Sequence, residues 1–128
     1  MPKKIVVADD EAHIRLLIEQ SIEELEDEDV QILTASDGEA ALALIVAEQP
    51  DLVLLDVMMP KMNGFEVCER LRHAHGTFHP HIVLLTAKGQ EYDRTRGAEV
   101  GADAYVTKPC NHDRLLAMAR EVLGLDGD

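Results

Sequence analysis

The chain is 128 residues long, 46% apolar and 29% charged, with a net charge of −13 from 12 basic and 25 acidic residues. That length suits one domain spanning 1–128 with a real core, and the acid excess argues against a nucleic-acid surface, which needs Lys and Arg for its phosphates. The longest apolar run, Ala40 to Ala47, is far short of the ~20 residues that span a bilayer, so no membrane insertion is expected.

Met1-Pro2-Lys3-Lys4 leads straight into Ile5-Val6-Val7, with no apolar signal core, so a cytoplasmic chain is expected. Cys68 and Cys110 are too few for a disulfide framework and lack metal-ligand spacing. Lys4 to Ala8 reads as a buried strand, followed by Asp9-Asp10-Glu11. A helix then carries Ile14, Leu17, Ile18, Ser21, Ile22 and Leu25 at spacings of three and four, its inner face. Asp9 or Asp10 could cap that helix; one cap needs one carboxylate, so the pair leaves at least one acid to explain. The acidic run Glu23 to Asp29 reads as a solvated helix end and loop.

Val30 to Ala35 is the second expected strand, and Ser36-Asp37-Gly38-Glu39 is a turn with an N-cap signal. Ala40 to Glu48 reads as a helix, stopped by Pro50. Asp51 to Leu55 is a wholly apolar strand after its first residue, of the kind buried on both faces of a parallel sheet. It delivers Asp56 at its carboxyl end, and Pro60 and Asn63-Gly64 then turn the chain into a helix with Phe65, Cys68 and Leu71 on one side.

His81 to Leu85 is the fourth strand, ending in Thr86-Ala87. The nearby His73, His75, His79 and His81, interrupted by Gly76 and Pro80, read as a solvated connection rather than a metal site. Lys88 to Val100 is poor in apolar anchors and reads as a short, loosely held helix; Ala104 to Val106 is a short strand, followed by Thr107-Lys108-Pro109. The last helix, Asn111 to Leu123, has Gly124 as its C-cap.

Strands and helices alternate five times at βα spacing, which predicts an α/β fold: a parallel five-stranded sheet with helices on both faces. Right-handed crossovers bring all the strands' carboxyl ends to one edge. Asp9, Asp10, Asp56, Thr86 and Lys108 follow those ends. Three adjacent carboxylates repel unless a cation sits among them, and Mg²⁺ prefers such hard oxygen ligands. Lys108 adds a positive charge and Thr86 a hydroxyl. The set fits phosphoryl transfer to a carboxylate, with Asp56 as nucleophile, Asp9 and Asp10 on the metal, and Lys108 and Thr86 on the phosphoryl oxygens. No Gly-rich phosphate loop is present, so the phosphoryl group should arrive on another molecule.

On Val7-Ala8-Asp9-Asp10-Glu11, Leu54 to Pro60, Asn63-Gly64, Leu85-Thr86-Ala87, Gly101 to Tyr105 and Thr107-Lys108-Pro109, the chain resembles a response-regulator receiver domain of two-component signalling, of the stand-alone, chemotaxis-regulator-like type. The resemblance implies a flavodoxin-like, doubly wound sheet in the order 2-1-3-4-5 with five helices. It implies that Asp56 accepts a phosphoryl group from a phosphohistidine of a sensor histidine kinase or histidine phosphotransfer protein, or from acetyl phosphate. It implies Mg²⁺ held by Asp10, Asp56 and the backbone carbonyl of Met58, with Asp9 nearby. It implies a switch through Thr86 and Tyr105, and a cis Lys108–Pro109 peptide. The expected product is a signalling module, not an enzyme acting on other substrates, which meets a downstream target protein, binds no DNA directly, and is a monomer or weak dimer.

Two positions depart from the family's pattern: Cys110 stands where many relatives have an aromatic, and Ala104 where many have a second Asp. Met58 and Lys88 occupy the positions that tune dephosphorylation. A phosphatase of the haloacid-dehalogenase kind is disfavoured, because Met58 stands where its second Asp would be. A pseudo-receiver is disfavoured by the intact acidic, hydroxyl and lysine set.

Overall fold

The computed structural model describes residues 2–74, 79–87, 95–96, 98–108 and 111–125. The elements run β1 (Lys3–Ala8), α1 (Ala12–Ile22), a 3₁₀ turn (Glu23–Glu28), β2 (Val30–Ala35), α2 (Gly38–Glu48), β3 (Leu52–Asp56), α3 (Gly64–Ala74), β4 (His81–Ala87), β5 (Ala104–Lys108) and α4 (His112–Leu123). All five strands form one sheet in the order β2-β1-β3-β4-β5, with every neighbouring pair parallel. This is the expected α/β architecture.

Strand β3 shows why the sheet needs cover on both sides. Each of its five residues is buried, and successive side chains point to opposite faces. Val53 and Leu55 join the core under α2 and α3, with Val6, Ile45, Cys68 and Leu84. Leu52 and Leu54 join the core under α1 and α4, with Ile5, Ile22, Leu85 and Leu115. Each such side chain contributes about 1.5–3 kcal/mol when fully buried.

Local chemistry sets the ends of the helices. The Asp37 carboxylate accepts the Ala40 N–H at 2.8 Å and starts α2 two residues before the expected Ala40. Asn63 and Glu66 bond reciprocally at the start of α3: each side chain accepts the other's backbone N–H, at 2.9 and 3.2 Å. The Asn111 side chain accepts the Arg114 N–H at 3.0 Å, and Gly124 ends α4 at φ 71°.

Two expectations change and a third is refined. Neither Asp9 nor Asp10 caps α1: Glu11 is its N-cap and makes no side-chain cap bond. The Asp9 carboxylate instead accepts the Glu11 N–H at 2.9 Å, ahead of the helix. Leu17 is 57% exposed rather than inward, beside Leu16 at 53%; this flank of α1 faces neither the sheet nor α4. The acidic run is a 3₁₀ turn that buries Leu25 while its charges stay outside.

Four α-helices are described. The fifth expected helix, Lys88 to Val100, lies largely outside the described residues, although Thr95, Arg96, Ala98 and Glu99 are helical. The expected Lys108–Pro109 cis peptide, Cys110 and Lys88 also lie outside them. No helix among the described residues is long and apolar enough to cross a membrane.

Candidate functional site

Strands β1 and β3 are adjacent, parallel and in register, with Ala8 opposite Leu55. The residues that follow therefore emerge side by side at the carboxyl edge. One carboxylate oxygen from each of Asp9, Asp10 and Asp56 lies within 4.8 Å of the others. Asp9 and Asp56 are buried, at 0% and 2% exposure, while Asp10 is exposed.

Lys108, at the end of β5, reaches across β4 to this group. Its Nζ lies 3.3 Å from Asp9 Oδ2 and 3.2 Å from Asp56 Oδ1. One ammonium thus faces two buried carboxylates, with a third nearby. Burial, then the neighbouring Asp9 carboxylate, push Asp56 from 3.8 up to about 6, against the lowering effect of Lys108 and the Met58 N–H. Burial opposes the charge on Lys108, but Asp56 and Asp9 outweigh it and its net shift is upward.

The backbone beneath Asp56 is tightly held. The Val57 N–H donates to Leu85 O at 3.0 Å and the Gly64 N–H to Val57 O at 2.9 Å. A Cβ on Gly64 would lie 2.5 Å from the Asp56 carbonyl oxygen, so only glycine permits this approach. The Met58 N–H donates to Asp56 Oδ1 at 3.3 Å, and the Met58 side chain is 73% exposed.

Thr86 is buried near the end of β4, one position beyond Leu85, the partner of Asp56. Tyr105, on β5 opposite Leu84, is partly buried against the core under α2 and α3. The structure therefore brings Asp9, Asp10, Asp56 and Lys108 into one cluster, sets Thr86 beside it in the sheet, and holds Tyr105 further back on β5. Among the described residues, this is the one group of three or more His, Cys, Asp or Glu side chains able to share an ion. The tract holding His73, His79 and His81 contributes to no such group.

The donors are oxygens only, and the cluster's negative charge exceeds its single ammonium. Both properties suit a hard divalent cation such as Mg²⁺ rather than a softer metal. Sequence reasoning missed Arg15, whose Nη1 donates to the Asp9 carbonyl at 2.7 Å. A contact reaching back six residues has no periodic signature.

The response regulator receiver domain family matches residues 5–120. The chain belongs to that family. As a receiver domain it is a signalling module of two-component systems rather than a conventional enzyme, and its acidic triad is of the kind typical of receiver phosphoacceptor and metal sites. Over 123 residues it is 44% identical to the alkaline phosphatase synthesis transcriptional regulatory protein PhoP of Bacillus subtilis, covering 96% of this chain and 49% of that protein. The chain spans about half the length of the curated relatives it matches.

Among solved structures, the chemotaxis response regulator CheY4 of Vibrio cholerae is similar at TM-score 0.81 and 30% identity, with 95% of this chain and 99% of that one covered. The REC domain of AraT, a response regulator from Geobacillus stearothermophilus, is similar at TM-score 0.82 and 28% identity, with 100% of both chains covered. Receiver domains partner with histidine kinases.

Proposed function

We propose that residues 1–128 act as one phosphorylation-controlled receiver domain in which Asp56 accepts a phosphoryl group from a phosphohistidine of a sensor kinase or phosphotransfer protein. An Asp56 carboxylate oxygen forms the new P–O bond while the donor's P–N bond breaks, and the imidazole keeps the bond's electron pair and takes up a proton. The observation that carries this reading is the meeting of buried Asp56 with Lys108 Nζ at 3.2 Å, beside two further carboxylates. Lys108 offers its protons to the transferred oxygens as it now does to Asp56 and Asp9, and the Thr86 hydroxyl is the second donor.

Asp10, Asp56 and the Met58 carbonyl would hold Mg²⁺, with Asp9 close by. When bound, Mg²⁺ neutralises charge at the carboxylates and orients phosphoryl oxygens. Supporting this division, the Asp9 oxygens already meet the Glu11 N–H and Lys108, while no hydrogen bond or ion pair holds the exposed Asp10 carboxylate among the described residues. Thr86 and Tyr105 carry the switch: the hydroxyl shifts toward the phosphorylated Asp56 and the Tyr105 ring follows inward. The changed face around β5 and α4 then meets a downstream target protein.

Intact mass after incubation with acetyl phosphate and Mg²⁺ tests the reading. The expected result is a gain of one phosphoryl group, lost in Asp56→Asn and in EDTA. If a purified phosphohistidine donor also leaves Asp56 unlabelled, the reading fails.

A further inference from the structure

We propose that Arg15 is a positioning residue for the divalent-cation site: by gripping the carboxyl end of β1 it fixes the backbone that presents Asp9 and Asp10 beside Asp56. The inference rests on the reading of the carboxylate cluster as a cation site. The Asp9 N–H makes a sheet-like bond to Ala35 O at 3.2 Å. In an extended strand a residue's N–H and C=O face the same neighbour, so the Asp9 carbonyl also looks toward β2, where the ladder ends at Ala8 opposite Ala35. The Asp9 carbonyl, in a residue with no exposed surface, is left without a sheet donor, and Arg15 Nη1 supplies one at 2.7 Å. A buried carbonyl needs such a partner, and a charged donor makes the stronger bond.

The same residue holds the far side of the turn. The Arg15 N–H donates to Glu11 O at 2.9 Å. Arg15 thus brackets Asp10 from both sides, through the residue before it and the residue after it. Asp10 is the acid whose own carboxylate has no fixing contact among the described residues, so its direction depends on that backbone. Mutual repulsion among Asp9, Asp10 and Asp56 pushes the turn open before a cation arrives. A guanidinium on the Asp9 carbonyl opposes this movement without occupying a carboxylate oxygen, so the oxygens stay available to the cation.

The test is a Mg²⁺ titration of the intact chain, followed by ¹⁵N amide shifts, for wild type, Arg15→Ala and Arg15→Lys, with thermal unfolding of each in EDTA. Groups that orient metal ligands typically cost 10–100-fold in affinity when removed, so the Mg²⁺ dissociation constant should rise roughly ten-fold or more in Arg15→Ala. Arg15→Lys, which keeps a charged donor, should recover part of it. Labelling by acetyl phosphate should then need more Mg²⁺ for half its rate yet approach the wild-type rate at saturation. If Arg15→Ala does not fold, Arg15→Lys and Arg15→Gln make the same comparison, with Gln the weaker binder. A lower melting temperature with an unchanged dissociation constant would reduce Arg15 to a structural contact and overturn the proposal. Wild type that binds no Mg²⁺ overturns the functional reading itself; wild type that binds normally beside indifferent Arg15 variants overturns only this inference.

Discussion

The two edges of the sheet each carry a cluster of charged side chains that ties several strands together, and the two are built differently. At the amino edge, Arg72 donates to Asp103 at 2.7 Å, to Gly101 O at 2.9 Å and to Pro80 O at 3.0 Å. Asp103 in turn accepts the Ile82 N–H at 2.8 Å. One cation meets one anion, and the remaining donors find carbonyls. At the carboxyl edge, Lys108 is divided between Asp9 and Asp56, with Asp10 adding a third acid. The first cluster is balanced and serves as a latch. The second carries excess negative charge, and Asp56 responds by holding its proton up to about pH 6. Charge left uncompensated in a folded chain costs stability unless a ligand completes it.

Breaking the latch should give the larger loss of stability. Arg72 is 10% exposed at its side chain, and its removal leaves Asp103 half-paired and two carbonyls without their donor. Arg72→Ala should cost about 2–3 kcal/mol in urea unfolding, the range for losing hydrogen bonds from a charged group. The Mg²⁺ dissociation constant of the molecules that remain folded should not move. A cost below about 1 kcal/mol, the range of exposed pairs, would remove the distinction between the edges.

The site edge should show the opposite sign. In EDTA, Asp56→Asn should stabilise the chain near neutral pH, because it deletes a buried charge lacking full compensation. The folded chain raises the Asp56 carboxyl from 3.8 to about 6. Between those values the folded state binds its proton more tightly than the unfolded state, so wild-type stability falls as pH rises through that window. The advantage of Asp56→Asn should be absent near pH 4 and reach about 1–3 kcal/mol by pH 7–8. Thermal unfolding of both proteins across pH reads it directly; a gap that widens toward low pH would invert the assignment. Adding Mg²⁺ should raise the wild-type melting temperature, by about 2.7 kcal/mol of stability at a hundred times its dissociation constant. Asp56→Asn should gain less.

The contrast between the edges also explains what could be read in advance. The members of the carboxyl-edge cluster follow short apolar strands, so alternation and parallel pairing place them without any knowledge of side-chain contacts. The latch has no such signature. Arg72 lies on a helix flank where charged residues are ordinarily solvated, and only the arrival of Pro80, Gly101 and Asp103 around it covers most of it. Arg15 was hidden for the same reason. Leu17 failed in the other direction: helical spacing marks a stripe, but the neighbours of α1 cover only part of it, and Leu16 and Leu17 stay in solvent. For the expected helix from Lys88 to Val100, weak apolar anchoring offered little pattern to follow.

The smallest effect separates burial from position. Lys4 and Glu48 form an ion pair of 3.0 Å at the same amino edge as the latch, but their side chains are 25% and 36% exposed. If edge position gave the latch its strength, this pair would share it. Burial gives a different expectation, since water already solvates both Lys4 and Glu48 and competes for their charges. Glu48→Gln should cost only about 0.5 kcal/mol in urea unfolding. That cost should vanish in 1 M salt, where the screening length shrinks to about 3 Å. Most of the Arg72→Ala cost should persist in the same buffer, because the Arg72 side chain is only 10% exposed and two of its three bonds go to neutral carbonyls. Equal salt sensitivity of the two variants would mean that the latch is a surface pair, and that balance alone does not distinguish the two edges.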